Sequence, residues 1–315
     1  MRRLALPLLA VLLAGCGGDR GGGADNAGAT VDSDLSGRIL ADGSSTVGPY
    51  ATAAAERFRG VHPNVQITVG VSGTGGGFER FCAGETDLSN ASRAIKDEEA
   101  AVCEAKGIEF VEFQVANDAL TVVVNPENDW VDCLTVAQLK KIWDTGSKVK
   151  SWRDVDPSFP DVSMKLYGAG TDSGTFDYFT GAINGEEGRS RSDYSATEDD
   201  NVTVQGVSGD AGALGYFGLS YYEQNKDTLK AVEIDGGDGC VAPSVETAQN
   251  GTYKPLSRPL FIYAKKESFD RPEVHAFVEF ILENEQDIAE AAQFVPLTDE
   301  QLTKAKANLA AASSG

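Results

Sequence analysis

Three short stretches of the 315-residue chain set hydroxyls among small residues: Ser45-Thr46, Ser72-Gly73-Thr74 and Ser173-Gly174-Thr175. Each precedes a segment that reads as a helix. The first turn of a helix carries unpaired N–H groups and a partial positive charge, so such a turn can hold an anion without a cation. Glycine lets the backbone come close to the guest. A single turn of this kind is most often only a helix N-cap; three in one chain are a stronger signal. A fourth stretch, Asp87-Leu88-Ser89-Asn90-Ala91-Ser92-Arg93, adds a guanidinium in small polar surroundings. Its planar fork matches a tetrahedral oxyanion. A solvated arginine paired with a carboxylate is the alternative reading.

Other chemistry is scarce. The only histidines are His62, ahead of Pro63, and His275, beside Val274, which leaves little for histidine catalysis or a histidine metal site. A G-x-S-x-G hydrolase elbow is missing, because Gly170-Thr171-Asp172-Ser173-Gly174 misplaces the serine. No catalytic residue, metal ligand or cofactor is therefore expected. The acidic run 185–200 reads as a solvated face, and Trp130, Trp143 and Trp152 as core or rim residues. With 48 Asp+Glu against 27 Lys+Arg, the net charge is −21. That balance argues against a nucleic-acid partner, since few cations are available to neutralise phosphates and release counterions.

The turns need rigid elements behind them. Arg38-Ile39-Leu40-Ala41 predicts a strand and Gly48 to Arg59 a helix; Val65 to Val71 alternates as a strand should. Ser72 to Gly77 then reads as a turn, with a helix from Phe78. Strand, Gly/Ser/Thr turn and helix thus occur twice in succession, as in α/β crossover units. Phe110 to Val115 reads as a strand leading into Leu120 to Val124, a run as apolar as a strand buried on both faces. Further on, helices are predicted at Thr135 to Trp143, from Phe176, at Glu273 to Glu283 and from Thr298. Strand elements are predicted at Met164 to Tyr167, Gly212 to Phe217, Leu229 to Ile234 and Leu260 to Ala264. The chain shows no internal repeat.

Arg2 and Arg3 precede an apolar stretch from Leu4 to Leu13, too short to span a membrane, as in a secretory signal. Leu13-Ala14-Gly15-Cys16 resembles the bacterial lipobox, which implies removal of residues 1–15 and a lipid on Cys16. Residues 16–37 are mostly Gly, Asp, Ser and Ala and read as a flexible tether. Cys82, Cys103, Cys133 and Cys240 remain, an even number in an exported chain, which favours disulfides over metal or nucleophile roles.

In order and spacing, five stretches together resemble the periplasmic phosphate-binding proteins of bacterial Pst-type ABC transporters, in the branch with Ser-Arg after the second turn. They are DGSSTVGP (Asp42 to Pro49), SGTGGGF (Ser72 to Phe78), LSNASRAIKDEE (Leu88 to Glu99), GTDSGTFDYF (Gly170 to Phe179) and GALGYFG (Gly212 to Gly218). The resemblance runs from Leu40 to about Pro296. It implies a two-lobed α/β fold, the type II periplasmic-binding-protein fold, in which each lobe is a mixed sheet flanked by helices. The two lobes close on one dehydrated phosphate. The lobes are placed at 38–116 with 256–315, and at 117–255, with crossings near Val115 to Leu120 and Tyr253 to Leu260. Of the three possible cysteine pairings, Cys82–Cys103 and Cys133–Cys240 is favoured, since each closes a loop within one lobe.

Carried over position by position, the resemblance implies phosphate ligands at Ser45, Thr46, Ser72, Thr74, Ser173, Gly174 and Thr175. Family members carry an aspartate where this chain has Arg93, and an arginine where it has Ala169. Arg93 is accordingly expected as the guanidinium that has changed address, and Asp172 or Asp118 as the acceptor of the phosphate proton. The implied protein is a lipid-anchored bacterial monomer in the periplasm or on the outer face of the cell membrane, handing phosphate to the permease subunits of an ABC transporter. Two alternatives stand beside that: a lipid-anchored surface or adhesion protein on the same fold, and a binder of another oxyanion such as sulfate.

Overall fold

The computed structural model of the protein describes residues 35–171 and 173–312. The signal segment, Cys16 and Asp172 lie outside them. The chain runs β1 (Gly37–Gly43), α1 (Gly48–Val61), β2 (Val65–Val69), α2 (Gly73–Cys82), β3 (Leu88–Ala91), α3 (Asp97–Ala105) and β4 (Phe110–Val124). Next come β5 (Cys133–Thr135), α4 (Val136–Trp143), α5 (Trp152–Val155), β6 (Lys165–Ala169), α6 (Gly174–Asn184), β7 (Ser195–Thr197), α7 (Asp200–Ser208) and β8 (Ala213–Gly218). The remainder is α8 (Leu219–Asn225), β9 (Lys230–Ala231), β10 (Glu233–Asp235), β11 (Cys240–Val241), α9 (Val245–Gln249), β12 (Ser257–Lys265), a 3-10 turn (Lys266–Asp270), α10 (Pro272–Glu283), α11 (Glu285–Ala291) and α12 (Asp299–Ala312).

The described strands form a nine-stranded sheet in the order β2-β1-β3-β12-β4-β8-β6-β7, with β9 also on β4, and a small sheet β11-β10-β5. β1 is parallel to β2 and β3, and β6 is parallel to β7 and β8. These parallel halves are joined through antiparallel β12 and β4. Each half has its own core. One draws its residues from 39–116 and 260–309, the other from 120–256. Trp143 and Trp152 are buried in the second. No described helix is long and apolar enough to cross a membrane.

Local chemistry explains where the elements depart from the periodicity. The strands expected at 110–115 and 120–124 are one strand, β4, which pairs with β12 up to Ala119 and with β8 from Leu120. The polar Asn117-Asp118 step does not interrupt it, because Asn117 exchanges backbone hydrogen bonds with Val295 and Asp118 accepts one from the Arg258 side chain. Helix α2 starts at Gly73, not at Phe78. The glycine run forms its first turns and lets it lie on β1, for a Cβ on Gly77 would fall 2.5 Å from the Gly43 Cα. The Leu229 to Ile234 strand is split, with β9 on β4 and β10 on β5. The Arg93 stretch, small and polar in sequence, begins with a buried strand, β3. Disulfides Cys82–Cys103 and Cys133–Cys240 tie α2 to α3 and β5 to β11.

Candidate functional site

The Ser45-Thr46 turn leaves the end of β1 and enters α1. Ser44 braces it: its N–H donates to Asn90 O at 2.9 Å, and its hydroxyl accepts from the Val47 N–H at 3.3 Å. Across from it, Ser173 is the extended N-cap of α6, and its Oγ accepts from the Thr175 N–H at 3.1 Å. The two turns meet. Thr46 Oγ1 donates to Gly174 O at 3.4 Å, and Ser45 Oγ donates to Asp177 Oδ2 at 3.4 Å. Between and around them lies a cavity of about 180 Å³, lined by both turns, Asp118, Asp200, Tyr221 and the segment 292–294.

Beside the cavity stands a guanidinium that the sequence did not single out. Arg258, on β12, donates through Nη2 to Thr46 Oγ1 at 2.9 Å and through Nε to Asp118 Oδ2 at 3.2 Å. Its Cζ lies 3.5 Å from the centroid of the Tyr178 ring, within cation–π range. The one available signal was an opposite charge in each of the two expected crossings, Asp118 in one and Arg258 in the other.

Three described carboxyls in or beside the cavity are shifted upward. Burial raises Asp118, against the pull of Arg258 and the Ala119 N–H. Burial also raises Asp177, which Ser45 and Arg258 oppose. Asp200 is pushed up to about 6 by burial and by the charges of Asp199 and Glu198.

The structure brings together Ser45, Thr46, Ser173, Gly174 and Thr175. Ser72, Thr74 and Arg93 do not line this cavity. Ser72 Oγ donates to Asp42 Oδ1 at 2.8 Å, and Thr74 Oγ1 lies 3.0 Å from Ser92 Oγ and accepts from the Ser92 N–H. Arg93 gives both terminal nitrogens to Glu99, each at 2.8 Å. That bond raises Arg93, and the charge of Glu187 from beyond α6 adds to the effect. Among the described residues, Cys133, Glu233 and Cys240 form the one acidic and sulfur cluster with metal-like spacing, and its two cysteines are disulfide-bonded to each other.

A sequence profile described as the PBP superfamily domain matches residues 25–285. Protein SphX of Synechococcus elongatus is 50% identical over 85% of this chain and 80% of its own length. The phosphate-binding protein PstS of Staphylococcus saprophyticus is 42% identical over 95% of this chain and 90% of its own. A crystal structure from Planctomyces limnophilus, described as that of a possible phosphate binding protein, superposes with a TM-score of 0.86 at 50% identity, covering 88% of this chain and 99% of that one. The chain belongs to the PBP superfamily, in the branch that contains SphX and PstS.

Proposed function

We propose that the protein binds inorganic phosphate in the cavity between its lobes and delivers it to the permease of an ABC transporter. One observation carries the reading: two hydroxyl-bearing turns at the starts of α1 and α6, from opposite halves of the fold, converge on one small cavity. A dianion stripped of water loses a large hydration energy, so many short-range donors must act together to replace it. Helix starts supply them without bulk. The names and titles of the relatives, which describe phosphate-binding proteins, support the choice of anion.

In this reading Ser45, Thr46, Ser173, Gly174 and Thr175 donate to the phosphate oxygens. Arg93 joins them when phosphate replaces Glu99 in its fork, since two carboxylate oxygens already occupy that fork as two phosphate oxygens would. Ser72 and Thr74 flank it from α2. The lobes divide at 116–120 and 256–260, where the chain passes from one core to the other. Ligand bridging both lobes favours the closed form, which the permease distinguishes from the open one. The protein is a binder rather than an enzyme. It works as a monomer outside the cytoplasmic membrane, held by a lipid on Cys16.

Isothermal titration of the mature protein with phosphate, sulfate and arsenate at two pH values tests the reading. Tight phosphate binding with weak sulfate binding is expected. Sulfate binding equal to or tighter than phosphate binding would select the other-oxyanion alternative. No heat and no rise in melting temperature with any of the three anions would leave the surface-protein alternative.

A further inference from the structure

Arg258 faces Asp118 in cross-strand register, β12 against β4. Its side chain is only 15% exposed, and that of Asp118 7%. From this position one side chain reaches three parts of the fold. Nε donates to Asp118 on β4, Nη2 donates to Thr46 in the turn before α1, and the guanidinium stacks on Tyr178 of α6. The Tyr178 ring is itself pinned, its hydroxyl donating to Pro255 O at 2.8 Å. Thr46 and Asp118 line the cavity, whereas Arg258 lies beside it, outside the lining.

We infer that Arg258 is a positioning residue that makes the cavity fit for an anion: it neutralises the Asp118 carboxylate and fixes the polarity of the Thr46 hydroxyl. The inference rests on the phosphate reading above. A carboxylate buried beside an anion repels it strongly unless a cation is paired with it in the same low-dielectric surroundings. Burial raises Asp118, and Arg258 is the largest influence opposing that. At Thr46, Nη2 occupies a lone pair of the hydroxyl oxygen, so the threonine keeps its own proton to donate across the cavity; at present that proton goes to Gly174 O. Lysine could not replace the fork, because the two acceptors are met by separate nitrogens of one rigid plane stacked on an aromatic ring.

The test is calorimetric titration of inorganic phosphate into the mature protein and its Arg258→Gln, Asp118→Asn and double variants, with melting temperatures measured alongside. Arg258→Gln should weaken phosphate binding by roughly 10- to 100-fold, the range for losing a charge-assisted hydrogen bond. Adding Asp118→Asn should recover most of that loss, which no general loosening of the fold would do. Arg258→Lys keeps the charge without the fork and should fall between, and it serves if the glutamine variant does not fold. Wild-type affinity in Arg258→Gln and Arg258→Lys, or a loss in Arg258→Gln that Asp118→Asn leaves unchanged, overturns the inference alone. A wild-type protein that binds no phosphate overturns the phosphate reading and this inference with it.

Discussion

Gly174 meets Thr46 so closely that a Cβ on Gly174 would lie 2.8 Å from Thr46 Oγ1 and 2.9 Å from its Cα. Real Cβ atoms do not come that near backbone, so the contact requires glycine at this point. The glycine opens α6 in ordinary helical backbone, where alanine would otherwise suit the helix better. Gly174→Ala should therefore force the two turns apart, lowering the ligand-free melting temperature and weakening phosphate binding by about tenfold or more. Titration together with thermal unfolding measures the two effects. Unchanged affinity would show that phosphate is held without this approach.

Arg93 and Glu99 form a second testable pair. If phosphate takes the fork from Glu99, Arg93→Ala should weaken binding by at least tenfold, and Glu99→Gln should tighten it, since the internal competitor is then neutral. Titration of both variants checks this. Unchanged affinity in Arg93→Ala would leave Arg93 as a partner of Glu99 and nothing more.

The α/β pattern and the hydroxyl-bearing turns were legible because each depends on local sequence, whereas the pairing of the cysteines, one of them across 107 residues, followed from the lobes that the resemblance implies. Strands alternate or run apolar, helix starts need hydroxyls and glycine, and an exported chain oxidises an even set of cysteines. What was not legible depends on pairing between distant segments. Nothing local says that Asn117 and Asp118 stay within one strand, since their partners Val295 and Arg258 lie more than a hundred residues away. The same holds for Arg258, which reads as a charge ahead of a proline until β12 is laid against β4. Arg93 shows the converse. Its local setting suits an anion, but a carboxylate six residues on, presented by the first turn of α3, takes its fork.

Asp200 makes phosphate affinity depend on pH. Its carboxyl is pushed up to about 6 by burial and by Asp199 and Glu198, and it lines the cavity. Below that value it is neutral; as pH rises through 6 it loses its proton and adds a negative charge beside the guest. Affinity should fall over that interval, and Asp200→Asn should abolish this part of the fall. Phosphate titrates in the same region, so the quantity to follow is the ratio of wild-type to variant dissociation constants between pH 5 and 8. A ratio independent of pH would remove Asp200 from the binding equilibrium.

Glu285 should make stability depend on pH in turn. It lies at the start of α11, where Oε1 accepts from the Leu297 N–H at 2.8 Å. Burial pushes its carboxyl up to about 7, the Glu290 charge adds to this, and the Leu297 N–H opposes it. The folded value thus lies above the ordinary value near 4.5. The folded state prefers the protonated acid, so its contribution to stability is complete below about 4.5 and is lost as pH rises toward 7. Glu285→Gln keeps the acceptor for Leu297 without the charge. It should raise stability at pH 8 by about 1–2 kcal/mol, discounted for screening, and change it little at pH 4. Denaturant unfolding at the two pH values measures this directly, and an equal effect at both would show that the Glu285 carboxyl does not titrate on folding.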